Sequence, residues 1–281
     1  MTKVNHSTSW CPIPFNAISF HPTGSLTRCM MSNVPMGETF DSDQMQKLRQ
    51  DMLDGVWDEE GCISCFKKEQ QGNISQRQKW LQRNPQDFKN TQGFINPKTT
   101  GNPVNHLFIN YSNICNFKCR MCGPDYSNSL IPEHKHLHTL GLRKEVKVEN
   151  IKNRNFINTY LKQKPESLKD VTSIWITGGE PLMDNNCYEL IDILAESGNE
   201  AETDMVITTN GSKVDLDKLQ KFENLKFFEL DLSIDAPNIM FEYMRSAGIF
   251  TGSICVLMLV YKHTITTQYL NLIQYVGKQE H

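Results

Sequence analysis

Short apolar segments separated by longer polar connections make up the last two thirds of the chain. Where such a segment is short and rich in β-branched or aromatic residues, we predict a strand. The predicted strands are residues 106–111, 173–177, 204–208, 227–234 and 254–261, and the predicted helices are residues 186–197 and 268–276. Strands that alternate with long connections are typical of a parallel sheet with crossover helices. We therefore expect an α/β fold in which the loops after the first four strands face one another.

The first third of the chain has a pattern typical of a β-hairpin. Two apolar runs, residues 15–20 and 25–30, flank the sequence His-Pro-Thr-Gly24, and the glycine would supply the turn. This arrangement places Cys11 just before the first strand and Cys29 at the end of the second. We expect the two cysteines to converge.

A helix is predicted after the hairpin. Asp41 and Ser42 are suitable N-caps, and the helix would run to about Asp54, where Gly55 would end it. A C-x2-C knuckle follows and leads into a polar, helical segment that stops near residues 84–85.

Residues 85–104 are polar, contain two prolines and lack hydrophobic periodicity, which indicates a linker. We predict a small domain over residues 1–84 and a larger one over residues 105–281. A chain of 281 residues with 38% hydrophobic residues has room for these two cores.

Charge and hydropathy exclude some classes of partner. The net charge is −3 with no long run of one sign, and residues 141–155 alternate in charge as a solvated surface does, so we expect no nucleic acid. No segment approaches the roughly 18 apolar residues of a membrane span, and the N-terminus has no apolar signal core. We expect a cytoplasmic protein without a membrane partner.

Nine cysteines are an odd number for a disulfide framework, and their grouping is more informative. Four come early, three stand together and two stand alone: Cys11, Cys29, Cys62 and Cys65; Cys115, Cys119 and Cys122; and Cys187 and Cys255. This grouping predicts two metal sites and two cysteines outside them.

The central three cysteines follow the first predicted strand with the spacing C-x3-C-x2-C. Three thiolates on one loop can hold three irons of a 4Fe-4S cube, and the spacing supplies no fourth. One iron is then left open for a small molecule. A three-cysteine zinc site is the alternative.

This segment closely resembles the signature of the radical S-adenosylmethionine (SAM) enzymes, including Met121 before the last cysteine and Gly123 after it. The resemblance implies a 4Fe-4S cluster on Cys115, Cys119 and Cys122 whose open iron binds the amino and carboxylate groups of SAM.

Four later segments match further family motifs, and the resemblance gives each a contact with SAM. Gly178-Gly179-Glu180 matches the motif that binds the methionine amino group. Two other strand ends match family loops that approach the SAM sugar and carboxylate; they carry Thr209 and Asn210, and Ser233 and Asp235. Arg245 lies where relatives often have an arginine that faces the SAM carboxylate.

The four early cysteines suit either a tetrahedral zinc or a fully ligated iron-sulfur cluster. The spacing Cys11-x12-Gly24-x4-Cys29 with a later C-x2-C resembles half of the auxiliary-cluster module of SPASM enzymes, the twitch domain. The resemblance implies a second 4Fe-4S cluster on Cys11, Cys29, Cys62 and Cys65. Here the module precedes the catalytic core, whereas in most relatives it follows.

The family's core is a barrel of six strand-helix units, of which five strands can be found here. We therefore expect a partial (β/α)6 barrel that lacks its sixth unit, preceded by a small cysteine-rich α+β domain. Either the chain is truncated, or another subunit closes the barrel.

The activity implied by the resemblance is reductive cleavage of SAM to methionine and a 5′-deoxyadenosyl radical, which abstracts hydrogen from a substrate. A flavodoxin- or ferredoxin-type protein would supply the electron. A peptide or protein substrate is expected first, and a small metabolite or nucleotide next. The competing interpretation is a non-catalytic iron-sulfur or zinc protein. The sequence leaves the reaction outcome and the oligomeric state open.

Overall fold

The computed structural model describes residues 9–22, 25–32, 34–83, 104–145, 156–164, 168–235 and 238–246. The chain divides into two compact units, the first formed by the described residues up to His21 and from Ser25 to Phe108, the second by those from Ile109 onward together with Pro22. The predicted last strand and last helix, Gly24, Cys255 and most of the predicted linker lie outside the described residues.

The first unit is built from short helices around a small hairpin. Its elements are α1 (Ile13–Asn16), β1 (Ala17–Phe20), β2 (Leu26–Thr27), α2 (Asp43–Leu53), α3 (Ile63–Gln70), α4 (Gln76–Arg83) and the start of β3 (His106–Asn110). β1 pairs with β2 in antiparallel register, with Ser19 opposite Thr27, and β3 lies on the other side of β1.

The predicted hairpin exists but is shorter at both ends. Phe15 and Asn16 are helical instead of extended, because Pro14 has the fixed φ that suits the first turn of a helix. β2 ends at Thr27, whose Oγ1 donates a hydrogen bond to the Cys29 carbonyl at 3.1 Å. Cys29 therefore lies in a turn after the strand, not at the strand end.

α2 confirms the predicted helix and one of its two candidate caps. The Ser42 side chain accepts a hydrogen bond from the Met45 amide at 3.3 Å, whereas Asp41 forms an ion pair with Arg49. Asp54 is the C-cap, and Gly55 follows with φ +80°, as a terminating glycine does.

The knuckle after α2 begins a helix: Cys62 is the N-cap of α3, and Cys65 lies in its first turn. The helical segment predicted after it is interrupted at Gly72, which has φ +75°, so that α3 and α4 are separate helices. A left-handed residue ends an α-helix because it turns the chain out of the hydrogen-bonded ladder.

The second unit alternates strands and helices. After the end of β3 come β4 (Lys118–Cys119), α5 (Ile131–Thr139), α6 (Phe156–Gln163), β5 (Ser173–Thr177), α7 (Asn185–Glu196), β6 (Asp204–Thr209), α8 (Leu216–Leu219), β7 (Phe227–Leu232), α9 (Asn238–Met244) and β8 (Arg245–Ser246). In this unit the strand order is β3-β5-β6-β7. β5 is parallel to β6, and β6 is parallel to β7.

These parallel pairs confirm an α/β fold. The first four predicted strands are present within two residues of their predicted ends, and α7 covers the predicted helix at residues 186–197. Alternate residues of β5 and β6 are buried, among them Ile176 and Ile207, which lie side by side in the register. None of the helices in the described part of the chain is long and apolar enough to cross a bilayer.

Candidate functional site

The loops that follow β3, β5, β6 and β7 carry the residues that the sequence predicted for SAM and its cluster. In a parallel sheet the carboxyl ends of neighbouring strands share one edge. The main chain joins two of these loops directly, because the Ser233 amide donates a hydrogen bond to the Thr209 carbonyl at 2.9 Å. The predicted residues are therefore brought to one edge of the second unit.

The three central cysteines belong to one apolar cluster. Cys115 and Cys119 are buried together with Phe117 and Phe241, and the half-buried Cys122 packs against them. The rings of Phe117 and Phe241 meet edge to face, with their centroids 6.4 Å apart. The two rings therefore cover part of the surroundings of Cys115 and Cys119.

Two residues that the sequence analysis did not single out hold Cys115 in place. Asn128 Oδ1 accepts a hydrogen bond from the Cys115 amide at 3.2 Å, and Ser129 Oγ donates one to the Cys115 carbonyl at 2.6 Å. Both lie in the polar run Tyr-Ser-Asn-Ser shortly after the third cysteine. This run could have been recognised in the sequence, because Ser and Asn side chains often form hydrogen bonds with nearby backbone groups.

Cys119 and Cys122 share a hydrogen bond between their side chains. This bond raises the pKa of Cys119 and lowers the pKa of Cys122. Arg245 Nη1 lies 3.6 Å from the Cys119 sulfur, and the two residues face each other in the short β4–β8 ladder. Arg245 is also ion-paired with Asp235, with Nε and Oδ2 2.6 Å apart. The loop after β7 is thus connected to the cysteines through Arg245.

The two glycines of the β5 loop allow it to dock on the cysteine loop. The Gly179 amide donates to the Ser112 carbonyl at 2.9 Å, and the Glu180 amide donates to the Ile114 carbonyl at 2.6 Å. A Cβ on Gly179 would overlap the Ile114 carbonyl, and one on Gly178 would overlap the Asn110 side chain. Gly178 also has φ +127°, which other residues rarely adopt.

Glu180 is fully buried at 0% exposure. Its Oε1 accepts hydrogen bonds from Thr209 Oγ1 at 2.5 Å and from the Leu182 amide at 3.2 Å, and its Oε2 accepts one from the Asn210 amide at 2.7 Å. Burial raises the pKa of Glu180, and these three donors oppose that shift. The carboxylate therefore joins the loops after β5 and β6.

Asn210 extends this network to the first cysteine. Its Nδ2 lies 3.8 Å from the Cys115 sulfur and 3.1 Å from Asn116 Oδ1. Asn116 in turn donates to Ser212 Oγ at 2.8 Å. Asn116 and Ser212 were not predicted as site residues, and as single polar residues in loops they carry no distinguishing sequence signal.

The donor set of this site suits an iron-sulfur cube. Across the described ranges, no group of three or more His, Cys, Asp or Glu side chains is arranged to hold a single metal ion. A cube places each thiolate on a different iron, so its ligands need not meet at one point. Three thiols on one loop, shielded by Phe117 and Phe241, fit three corners of such a cube.

The four early cysteines line one pocket within the first unit. Burial raises the pKa of Cys11, and raises that of Cys29 to about 12. For Cys11 a further cause is the charge that Cys29, Cys62 and Cys65 would carry as thiolates. The sequence separated them into a hairpin pair and a knuckle pair, and the structure brings the pairs together.

Two arginines line the same pocket, and the sequence analysis missed both. Arg28 and Arg77 are 3% and 5% exposed. Burial raises the pKa of Cys62, and the charges of the two guanidinium groups counteract that shift. Neither arginine belongs to a motif, and an arginine beside a cysteine is common in sequences of any kind.

Fold and site together define a class of protein: an α/β protein with three cysteines in one cluster at the edge where the strands of a parallel sheet end. The chain belongs to the radical SAM superfamily, whose family model matches residues 109–254, just over half of the chain. Membership implies a 4Fe-4S cluster and SAM, and with them the chemistry of SAM cleavage.

Individual relatives match only in part. A GTP 3′,8-cyclase of Sulfurovum sp. (strain NBC37-1) is 25% identical over 136 residues, which are 48% of this chain and 36% of that protein. The chain thus spans about a third of that relative.

Two solved structures show a similar partial match. "His6 tagged anSMEcpe with bound AdoMet" has 22% identity and a TM-score of 0.41, and "Native anSMEcpe with bound AdoMet and Kp18Cys peptide" has 20% identity and a TM-score of 0.40. Both matches cover 56% of this chain and 40% of the other.

Proposed function

We propose that this protein is an enzyme that binds SAM at the three-cysteine site and cleaves it reductively to start hydrogen abstraction from a substrate. The observation that carries the proposal is the docking of the Gly178-Gly179-Glu180 loop on the cysteine loop through two main-chain hydrogen bonds. This contact places the thiols of the cluster site and a buried carboxylate in one site. When bound, the cluster would supply the electron that breaks the sulfonium bond.

Glu180 has the capacity to receive the amino group of SAM. An ionised carboxylate offers about four lone-pair positions, and Thr209, Leu182 and Asn210 occupy three of them. The position left on Oε2 can accept a charge-assisted hydrogen bond from an ammonium group. We assign Glu180 both this contact and the joining of two loops.

Arg245 is the candidate partner of the SAM carboxylate. Its guanidinium lies beside the Cys119 sulfur, and Asp235 holds it from one side. A guanidinium has five donors in a planar fork, so a second carboxylate can bind to the same group. Thr209, Asn210 and Ser233 line the neighbouring loops, where hydroxyl and amide groups suit a ribose.

We also propose that the first unit is a twitch-like domain with a second 4Fe-4S cluster on Cys11, Cys29, Cys62 and Cys65. The shared pocket supports this assignment. Four protein thiolates leave no open iron, so this cluster would transfer electrons or position the substrate instead of binding SAM. Residues 1–84 as the auxiliary domain, 85–104 as linker and 105–281 as the core of a partial barrel remain part of the proposal.

For the substrate, we propose a peptide or protein, on the likeness of the first unit to twitch and SPASM modules. A nucleotide is the second candidate, because the curated relative is named for a reaction of GTP. A flavodoxin- or ferredoxin-type reductant and a cytoplasmic location complete the proposal, with neither nucleic acid nor membrane as partner.

The deciding experiment is anaerobic reconstitution with iron and sulfide, followed by addition of dithionite and SAM. We expect slow formation of 5′-deoxyadenosine and methionine even without substrate, and none from a Cys115→Ala, Cys119→Ala, Cys122→Ala variant. A fully loaded protein that leaves SAM intact would support the competing non-catalytic function.

A further inference from the structure

Among the described side chains of the first unit, three arginines are buried, and two of them face the four-cysteine pocket. Arg28 and Arg77 line the pocket, whereas Arg49, which is 1% exposed, does not. Burying a guanidinium is unfavourable unless it is paired, and each of the three has a carboxylate partner. Of these three arginines, Arg28 and Arg77 therefore place a positive charge at the pocket, and Arg49 does not.

Arg28 is fixed from several directions. It is ion-paired with Asp58, and its Nη2 donates to the Met36 sulfur at 3.2 Å. A Cβ on Gly61 would overlap the guanidinium, so the glycine leaves the space that Arg28 fills. The Arg28 guanidinium also forms a hydrogen bond with the Cys62 side chain, so the positive charge lies beside one of the four thiols.

Arg77 is held as firmly. Its Nε donates to Glu69 Oε1 at 2.7 Å, its Nη1 donates to the Trp10 carbonyl at 2.7 Å, and its guanidinium lies 5.0 Å from the ring centroid of Trp57. Neither Asp58 nor Glu69 belongs to the pocket lining. The positive member of each ion pair therefore faces the cysteines, and the negative member does not.

We propose that Arg28, assisted by Arg77, is a positioned charge that raises the reduction potential of the cluster in the four-cysteine pocket. This inference rests on the proposed second cluster. A cube with four thiolates is anionic and gains one more negative charge when it accepts an electron. A buried positive charge stabilises the reduced state more than the oxidised one, and net charge and hydrogen bonds to sulfur are known determinants of cluster potential.

The role assigned to this cluster follows from that charge. A cluster whose reduced form is stabilised accepts an electron readily and donates it reluctantly. The cluster in this pocket would therefore accept an electron more readily than it would donate one.

Substitutions of the two members of the Arg28–Asp58 ion pair change the charge near the pocket in opposite directions. Arg28→Gln removes the positive charge, whereas Asp58→Asn removes the negative one and keeps an oxygen that accepts from the Gly61 amide. Arg49→Gln is the matched control, because it removes an equally buried, ion-paired guanidinium of the same unit outside the pocket. Together the three variants distinguish an effect of charge at the pocket from an effect of lower stability of the unit.

The test is a redox titration of the reconstituted full-length protein, followed by electron paramagnetic resonance of the cluster signal that SAM does not perturb. For Arg28→Gln we expect an approximately tenfold lower ratio of reduced to oxidised cluster at a fixed potential, which is a shift of about 59 mV for one electron. Asp58→Asn should shift the ratio the other way, and Arg49→Gln should leave it unchanged. If Arg28→Gln does not fold, the sign of the Asp58→Asn shift decides.

Iron content separates the two possible failures. With about eight irons bound per chain, an unchanged ratio in Arg28→Gln, or shifts of the same sign in both charge variants, overturns the role of Arg28 and leaves the second cluster standing. With about four irons and stoichiometric zinc, the second cluster is absent and the inference falls with it.

Discussion

At the scale of single residues, Glu180 combines a structural and a proposed binding role in one carboxylate. Its bonds to Thr209 and Asn210 hold the loop after β6, and one acceptor position on Oε2 remains. The buried carboxyl group can still ionise because three hydrogen-bond donors offset the free-energy cost of burying its charge. A substitution that tests the binding role must therefore remove the charge of Glu180 and keep the size of its side chain.

We expect Glu180→Gln to weaken SAM binding about tenfold or more while the cluster remains. The amide keeps the size of the side chain but loses the charge that strengthens a bond to ammonium by roughly 1–2 kcal/mol. Anaerobic calorimetric titration with SAM would measure the change. Glu189→Gln, which removes a partly exposed carboxylate paired with Lys162, is the control and should bind SAM normally. Loss of the cluster absorbance in Glu180→Gln would assign the residue a structural role alone.

Sequence motifs were enough to predict that Glu180, Thr209 and Ser233 follow strands of one sheet, because the apolar pattern revealed those strands. They did not identify Asn128, Ser129, Arg28 or Arg77. These side chains act on cysteines through contacts made only after folding, and no periodic pattern encodes such contacts.

At the scale of elements, the β5 loop and the cysteine loop form one structural unit. Glycine is required at position 179 because the Ile114 carbonyl occupies the space of a side chain. Packing alone therefore explains the glycine at this position of the motif, independently of any ligand. The hairpin of the first unit was predicted less well, since the short helix enforced by Pro14 replaces the start of its first strand.

Gly179→Ala should destabilise the protein by about 1–3 kcal/mol, the usual effect of an added methyl in a tightly packed place, and should lower iron incorporation. Thermal unfolding of the metal-free protein and iron analysis after reconstitution would measure both effects. Gly123→Ala is the matched control, since a Cβ there meets no atom within 4 Å. Equal stability of the two variants would contradict the packing role.

At the scale of the whole molecule, cysteine counting predicts a separate function for each of the two units. The first unit supplies four thiols around one pocket, and the second supplies three on one loop. We expect about eight irons per reconstituted chain, and about half that number after replacement of Cys115, Cys119 and Cys122 by alanine. Iron analysis and zinc analysis of the same samples would test the count. A triple variant without iron would show that the first unit holds no cluster.

The difference in ligand number also predicts a difference in response to SAM. Only the three-cysteine cluster has an open iron, so SAM should perturb one electron paramagnetic resonance signal of the reduced protein and leave the other unchanged. The triple variant should show only the signal that does not respond. A SAM-induced shift in that variant would mean that one of the four early cysteines is not a ligand.

The main-chain hydrogen bonds between the β5 loop and the cysteine loop have a consequence for hydrogen exchange. The amides of Gly179 and Glu180 donate to the carbonyls of Ser112 and Ile114. Such amides exchange with solvent only when the segment that carries them opens. The amide hydrogens at 179 and 180 should therefore exchange slowly with deuterium.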